Sequence, residues 1–210
     1  MSNIILRTNA TPVYGFLSFI HHRYSAEFPT QWKILDCGAG GLVPPLAIFA
    51  EQGFECWGID ISDQQLDKAR EYCTQYDLDI HFEKGDMRRM PFDDASFDFV
   101  YEQYAMCHMS KKDIAQVIRE MHRVLKPGGL CLLGFISDEC TPKSSFGVEQ
   151  ARGEYYGKEG EKMTLHSLFS EQETESLLTG WEVLSKQKSI SYRINEDGQY
   201  AHLFYTLQKP

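Results

Sequence analysis

The chain has 210 residues, with 21 Lys and Arg against 30 Asp and Glu, giving a formal net charge of −9. A chain of this length hides about 70% of its unfolded surface around one core, which excludes a small scaffold dependent on disulfides or metal. The acidic balance works against nucleic acid as a partner, because Lys and Arg drive that binding by neutralising phosphates.

Six cysteines, Cys37, Cys56, Cys73, Cys107, Cys131 and Cys140, form no CxxC pair and mostly fall in apolar runs. A free thiol there behaves as a small hydrophobe, so reduced core cysteines and no metal site are expected. The first residues lack a basic start followed by an apolar stretch, and no 18 apolar residues run together. The expectation is a cytoplasmic protein with neither secretion signal nor membrane span.

Residues 1–30 read as an N-terminal helical cap, with Val13, Phe16, Leu17 and Ile20 on a packing face. From 31 to 136, short β-rich runs alternate with helical patterns, which indicates βαβ units and a mostly parallel sheet. The expected strands are Lys33–Cys37, Glu55–Asp60, Asp79–Glu83, Phe97–Tyr101 and Leu130–Ile136. Between them, one helix is expected from Leu42 with Pro44 and Pro45 in its first turn, and a second to Tyr76 with Ser62 as N-cap. A third starts at Ser110 with Asp113 and stops near Lys126-Pro127-Gly128-Gly129. Residues 137–167 are rich in Gly and charge without a helical period, an insertion suited to a lid. A hairpin is expected within it, Glu154–Tyr156 against Met163–Leu168 around Gly157 to Gly160. Over 168–210, Ser170-x-x-Glu173 opens a helix through Leu178, and Trp181–Ile190 and Tyr200–Gln208 form a closing antiparallel pair around Asn195 to Gly198. All four parts form one domain.

The sharpest motif is Ile34-Leu35-Asp36-Cys37-Gly38-Ala39-Gly40-Gly41, a hydrophobic strand running into glycines. Glycine permits positive φ and lets backbone approach a ligand closely. Twenty residues beyond Gly40, Asp60 ends the second strand and can accept both hydroxyls of a ribose. The dinucleotide fingerprint G-x-G-x-x-G fails at Val43, and Asp36 directly before the glycines repels pyrophosphate but suits a cation. A positively charged nucleoside fits better than a nicotinamide dinucleotide.

Together these residues resemble the class I S-adenosylmethionine-dependent methyltransferases, in the small-molecule group called the type-11 methyltransferase domain. The resemblance covers about Gln31 to Ile136. It rests on Asp36-x-Gly38-x-Gly40, the acid of Gly58-Ile59-Asp60-Ile61-Ser62, Gly85-Asp86-Met87 with Met90-Pro91-Phe92, Phe97-Asp98-Phe99-Val100, and Arg123-Val124-Leu125-Lys126-Pro127-Gly128-Gly129. One departure is Leu42 in place of the family's usual third glycine, with Gly41 one place early. The resemblance implies a Rossmann-like three-layer α/β sandwich around a mostly parallel seven-stranded sheet, order 3-2-1-4-5-7-6, strand seven antiparallel. It implies S-adenosylmethionine as cofactor and S-adenosylhomocysteine as product. Asp36 and the backbone of Gly38, Ala39, Gly40 and Gly41 would face the methionine end, Asp60 the ribose and Ile61 the adenine ring. Asp86 would accept from the adenine amino group, and Met87 N–H would donate to a ring nitrogen. The bland alternatives are a turn-capping Asp86 and a core Ile61, while Asp98 and the Lys126–Gly129 turn are assigned to structure.

A methyl acceptor belongs beyond the carboxyl ends of strands four and five, near Tyr101 to Tyr104 and Met106-Cys107-His108. The stretch Glu102-Gln103-Tyr104-Ala105 lacks the Asn/Asp-Pro-Pro-Tyr/Phe pattern of nucleic-acid amino methyltransferases. Glu102 is placed on the cofactor's ammonium or on a cationic acceptor, or else as an exposed charge at a strand end. His108 is the candidate general base, because imidazole titrates near neutrality, with structural hydrogen bonding as its alternative. Tyr14, Tyr24, Tyr104, Tyr155, Tyr156 and His166 are the lid and substrate candidates. The leading expectation is methyl transfer to an O, N or C atom of a small molecule. Its rivals are an RNA or protein methyltransferase on the same fold and a non-catalytic cofactor-binding module.

Overall fold

The structure is a computed structural model that describes residues 11–24, 32–192 and 198–210. Four parallel pairings join β3 (Ile80–Lys84), β2 (Glu55–Asp60), β1 (Lys33–Cys37), β4 (Phe97–Tyr101) and β5 (Leu125–Ser137) in that spatial order. β10 (Tyr200–Gln208) then runs antiparallel to β5, and β9 (Glu182–Ser191) antiparallel to β10. With β10 as the seventh strand and β9 as the sixth, this is the expected order 3-2-1-4-5-7-6.

Alternation along the strands feeds two cores. Ile34 of β1 and Phe99 and Tyr101 of β4 pack against Val13, Phe16 and Ile20 of α1 (Thr11–Arg23) and Phe49 of α2 (Ala47–Ala50). Leu35 and Val100 point the other way, onto Ile114, Val117, Ile118 and Met121 of α4 (Lys111–Val124). Successive side chains of a strand face opposite sides, so two helical layers enclose the sheet. Serine caps start the other helices as expected: Ser62 accepts from Gln65 N before α3 (Asp63–Tyr76), and Ser110 from Asp113 N before α4. Ser170 and Glu173 complete a reciprocal capping box at α5 (Glu171–Leu177). All six cysteines are free and buried, and no helix among the described residues is long and apolar enough to cross a membrane.

Several boundaries differ from expectation. The helix expected from Leu42 is the single turn Ala47–Ala50, approached by i→i+3 bonds from Ala47 N to Pro44 O and Ile48 N to Pro45 O. Two successive prolines supply no donors, so the chain tightens before α2 begins. β3 starts at Ile80, one residue late. The ladder between β4 and β5 begins at Phe97↔Leu125 and resumes at Phe99↔Leu130, so Lys126–Gly129 loops out inside β5, with Gly128 at φ +77°. Asp98 holds that excursion as expected, accepting from Lys126 Nζ at 2.8 Å and from Lys33 N at 2.9 Å. Asn195, Glu196 and Asp197 of the expected final turn lie outside the described residues.

The insertion is a β-sheet of its own. β8 (Lys162–Phe169) pairs antiparallel with β7 (Glu154–Glu159), which pairs with β6 (Val148–Ala151), a strand not anticipated. The expected hairpin is present, with Glu159↔Lys162 as its last pair, so Gly157 lies within the ladder. Thirteen-residue β5 outruns its neighbours: β10 covers Leu130–Ile136, and β8 takes up the edge in parallel at Ile136↔Leu168 and Ser137↔Phe169.

One clamp had no counterpart in the sequence reading. Arg123 on α4 donates to Phe92 O at 2.8 Å and Met90 O at 3.1 Å and pairs with Glu120, whose carboxylate accepts from Met90 N at 2.9 Å. The loop after β3 is thereby fastened to α4. Charge-assisted bonds to backbone are the stronger class. Replacing Arg123 with Ala is expected to lower unfolding free energy by about 2 kcal/mol, read from urea midpoints at an unchanged slope; an unmoved midpoint would show that the clamp contributes nothing.

Candidate cofactor and acceptor site

β1 lies between β2 and β4, where the strand order reverses, and open parallel sheets take their ligands beyond the carboxyl ends at such a point. The glycine loop leaves β1 there. Gly38 N and Ala39 N both donate to Ile59 O, at 2.8 and 3.0 Å, and Gly41 N to Gln65 O at 3.0 Å. Gly38 has φ +100°, and a Cβ on it would overlap the side chain of Ala105. A Cβ on Gly40 would overlap Gln65 and Asp60. Glycine is therefore required by close approach at both positions. Gly41 also takes positive φ, at +121°, one place ahead of exposed Leu42.

Asp60 braces this loop. Its Oδ2 accepts from Gly40 N at 3.0 Å and its Oδ1 from Ser62 N at 2.8 Å. Each carboxylate oxygen has a second lone pair, so the group can still accept two ribose hydroxyls. Ile61 is 64% exposed beside it, which removes the core alternative and leaves an apolar face open to a planar ring. The Asp86 carboxylate is held on three sides by Arg88, from Nε at 3.0 Å, Nη2 at 2.6 Å and the backbone N at 2.8 Å. These bonds keep its pKa below the ordinary range. Asp86 thus caps its turn as the bland alternative had it, and only its remaining lone pairs face outward. Met87 is buried, its side chain lying near Gly38.

Two carboxylates end in the dry interior. Asp36 is 2% exposed and accepts from Tyr101 Oη at 2.7 Å. Burial pushes its pKa up to about 7, opposed by the tyrosine bond and reinforced by the charges of Glu102 and Asp60. Glu102 is also buried, accepting from Gly134 N at 3.1 Å, Met106 N at 3.1 Å and Ala105 N at 3.2 Å. Burial pushes its pKa up to about 7 as well, against those backbone bonds. Glu102 is consequently not an exposed charge. It ties the loop after β4 to β5, and that loop rests Ala105 on Gly38, with Tyr104 between them at φ +60°. Positive φ in a bulky residue stores strain of about 1–3 kcal/mol and persists where packing overdetermines it.

The lid candidates separate. Tyr14 is partly buried against the core that holds Phe16, Phe49 and Phe99, and it feels the charge of Glu51, which follows α2. Tyr24 packs on Trp32 and Phe99, with ring centroids at 5.0 and 6.2 Å. Both belong to the α1 core and are corrected to packing residues; an aromatic side chain suits a lid and a core equally well. Tyr155 is buried among Cys107, Phe146 and Leu168 in the insertion's own core, so it too is a packing residue. Tyr156 is exposed on the same strand. Tyr104 packs on His202 at 5.1 Å, at the carboxyl end of β4.

His108, in the 3-10 turn Met106–His108, comes together with two residues of the insertion. Its Nδ1 lies 3.3 Å from Leu165 O and its Nε2 3.7 Å from Glu159 Oε2. His166 Nε2 lies 3.9 Å from the same carboxylate oxygen. The expectation of no metal-ligating set therefore does not describe this corner of the molecule. No sequence spacing signals the set, because Glu159 and His166 reach His108 only through the β7–β8 hairpin.

Residues 34–129 match the family described as Methyltransferase domain. The chain is 42% identical over 102 residues to 24-methylenesterol C-methyltransferase 2 of Oryza sativa subsp. japonica, covering 47% of this chain and 27% of that protein. It is 36% identical over 104 residues to 27-O-demethylrifamycin SV methyltransferase of Amycolatopsis mediterranei, covering 49% and 38%. The chain thus spans well under half the length of these curated relatives. A structure described as a SAM-dependent methyltransferase of Methanosarcina mazei superposes with TM-score 0.74 at 22% identity, covering 90% of this chain and 96% of that one. The matched segment runs from the strand that carries Asp36 to the glycines that follow Lys126. Over residues 34–129 the chain is similar to the methyltransferase domain family, and it has the Rossmann-like α/β fold of the S-adenosylmethionine-dependent methyltransferase on which it superposes.

Proposed function

We propose that the protein is an S-adenosylmethionine-dependent methyltransferase acting on an O, N or C atom of a small molecule and releasing S-adenosylhomocysteine. The observation that carries this reading is the buried acid pair, Asp36 and Glu102, at the ends of neighbouring strands beside Asp60. Two acids held near neutrality by burial gain their charged forms when a cation arrives, and they oppose a phosphate. The bound cofactor supplies a methyl group on a positively charged sulfur. Asp60 would take the ribose hydroxyls, Ile61 the adenine face, and Gly38 to Gly41 the methionine end. Met87 N–H and the outward lone pairs of Asp86 would read the adenine edge.

Displacement at the methyl carbon asks mainly for alignment and a dry site. Ala105 and Tyr104 close the crevice on the β4 side, and residues 137–167 bound the acceptor side. His108 would handle the acceptor's proton, because donation from Nδ1 to Leu165 O leaves the Nε2 lone pair facing Glu159 and His166. The net charge of −9 supports a small acceptor over a nucleic acid. Six buried free thiols support a reducing compartment such as the cytoplasm. The relatives' printed names include one C- and one O-methyltransferase, consistent with an acceptor atom set outside the shared segment.

Calorimetric titration with S-adenosylmethionine and S-adenosylhomocysteine is expected to give micromolar binding, with NADH as a silent control; NADH binding without the other two would overturn the reading. Asp60→Ala is expected to weaken both by about 1–3 kcal/mol, through loss of the hydroxyl acceptor and of the loop brace.

Asp36 adds a pH signature. The unfolded chain loses this proton near the ordinary carboxylate value and the folded chain near 7, so stability falls as pH rises between them and then levels. Cofactor affinity moves the opposite way, rising through pH 7 as the acid ionises. Asp36→Asn keeps an acceptor for Tyr101 and is expected to melt higher than the parent at pH 8 while binding cofactor at least about tenfold more weakly. Equal melting temperatures and affinities at pH 8 would show that Asp36 is not the cation's partner.

A further inference from the structure

His108, Glu159 and His166 come from three separate elements, the 3-10 turn after β4, the end of β7 and the middle of β8. One ligand atom from each lies within 4.8 Å of the other two. We propose that these three side chains bind a divalent transition-metal ion of the zinc class, with coordination positions left open toward the methyl acceptor.

The donor set is two imidazoles and one carboxylate, the composition of an open zinc site, in which three protein ligands leave the fourth position to water or substrate. Ligand atoms about 2.0–2.2 Å from a tetrahedral ion lie roughly 3.3–3.5 Å apart. The two separations from Glu159, 3.7 and 3.9 Å, exceed this by a few tenths of an ångström, and the whole set spans up to 4.8 Å, so the imidazoles also draw together when an ion binds. Glu159 is 59% exposed on its side chain and sits one residue before the Gly160 turn, free to close that gap. His166 is 8% exposed, so the His108 ring, 33% exposed on its side chain, makes the larger adjustment.

The outer shell is built as well. A metal-bound imidazole normally gives its other N–H to a carbonyl, which fixes its tautomer. His108 Nδ1 lies 3.3 Å from Leu165 O, which directs the Nε2 lone pair toward Glu159. His166 Nδ1 is buried without a hydrogen-bond partner, and the Phe146 backbone faces it. The Phe146 ring packs on His166 with centroids 5.6 Å apart, and the His108 ring packs on it at 5.1 Å. Without an ion, two imidazoles hold their ring nitrogens 3.7 and 3.9 Å from one carboxylate oxygen, too long for good hydrogen bonds. A cation satisfies all three.

Position gives the ion its use. His108 N donates to Ala105 O at 3.4 Å, so one 3-10 turn separates the residue resting on Gly38 from the first ligand. An acceptor with adjacent oxygen or nitrogen atoms would chelate the open positions and stand against the methionine end of the crevice. The ion would lower the pKa of a bound hydroxyl, and His108 would then act through the ion rather than take the proton itself. This placement rests on the methyl-transfer reading; the metal site itself does not.

The test uses the whole protein stripped with a chelator and titrated with cobalt(II) chloride, then zinc chloride in competition, with S-adenosylhomocysteine binding measured on the same samples. One equivalent of cobalt is expected, with visible bands typical of nitrogen and oxygen ligands and no sulfur-to-metal band from a cysteine. Glu159→Gln, an exposed change that leaves the fold alone, is expected to weaken cobalt binding at least about tenfold, and His108→Ala likewise. Absence of binding at about 100 µM metal with homocysteine-nucleoside binding intact overturns the site while leaving the cofactor reading in place. Unchanged binding in Glu159→Gln also overturns it. Stoichiometric cobalt lost in both variants supports the site even where the nucleoside fails to bind.

Discussion

Burial of two carboxylates within one turn of each other's strands is the constraint around which the crevice is built. Asp36 and Glu102 end β1 and β4, the pair on either side of the reversal in strand order. An unpaired ionised acid in such a place costs several kcal/mol, so it stays protonated, gathers hydrogen bonds or acquires a cation. The fold supplies the second remedy in part: Tyr101 for Asp36, and three backbone amides for Glu102. Those same amides belong to the loop over Gly38 and to β5. The electrostatic problem and the shape of the crevice therefore have one solution, since the groups that make Glu102 tolerable also set Ala105 on the first glycine.

The long fifth strand decides where the insertion can act. Had β5 ended with its β4 ladder at Leu132, residues 137–167 would leave the sheet with no edge to rejoin. Instead β8 pairs at Ile136 and Ser137, Asp138 N donates to Phe169 O, and Ser167 Oγ donates to Met109 O at 2.6 Å. These bonds fasten the hairpin to the loop after β4, which brings Glu159 and His166 to His108. Gly157 and Gly147 allow this packing, because a Cβ on either would strike the other's backbone stretch. The insertion is a sheet continuous with the core rather than a loose lid.

How legible all this was follows the range of the interactions. β1, β2, β4 and β10 carry the bounds that alternation and apolar content indicate, and Ser62, Ser110 and Ser170 cap where their side chains say they should. The glycine loop and its brace at Asp60 were legible because strand, glycines and Asp60 lie within one βαβ unit. Glu102 was half legible: its place directly after Phe97–Tyr101 puts an acid at a strand end without showing that it is buried, and the amides that hold it come from residues 3, 4 and 32 positions on. Tyr14 misled because an aromatic side chain suits a lid and a core equally well, and only the packing of α1 on the sheet decides between them. Arg123 was read as part of a signature, and its clamp on Met90 and Phe92 emerges only when α4 lies beside that loop. The histidine pair spans 58 positions and depends on β8 pairing outside the expected sheet.

The division between the two halves of the site has a consequence for specificity. Residues 34–129 carry the family match and the glycine loop with Asp60 proposed for the nucleoside, and relatives whose names place the methyl on different atoms share about half of this chain's length at 36–42% identity. What those atoms have in common is a cationic methyl donor, so the acids and glycines are under one demand whatever the acceptor. In the proposed reaction the acceptor would meet other surfaces: the turn at Met106–His108, and the β7–β8 hairpin, which lies wholly outside the matched segment. A hairpin fixed to β5 by two residue pairs can change its ligating or apolar side chains without disturbing Asp36, Glu102 or Asp60. On the methyl-transfer proposal, chemistry at the donor would be held by the sheet, and the choice of acceptor would fall to an attachment at its edge.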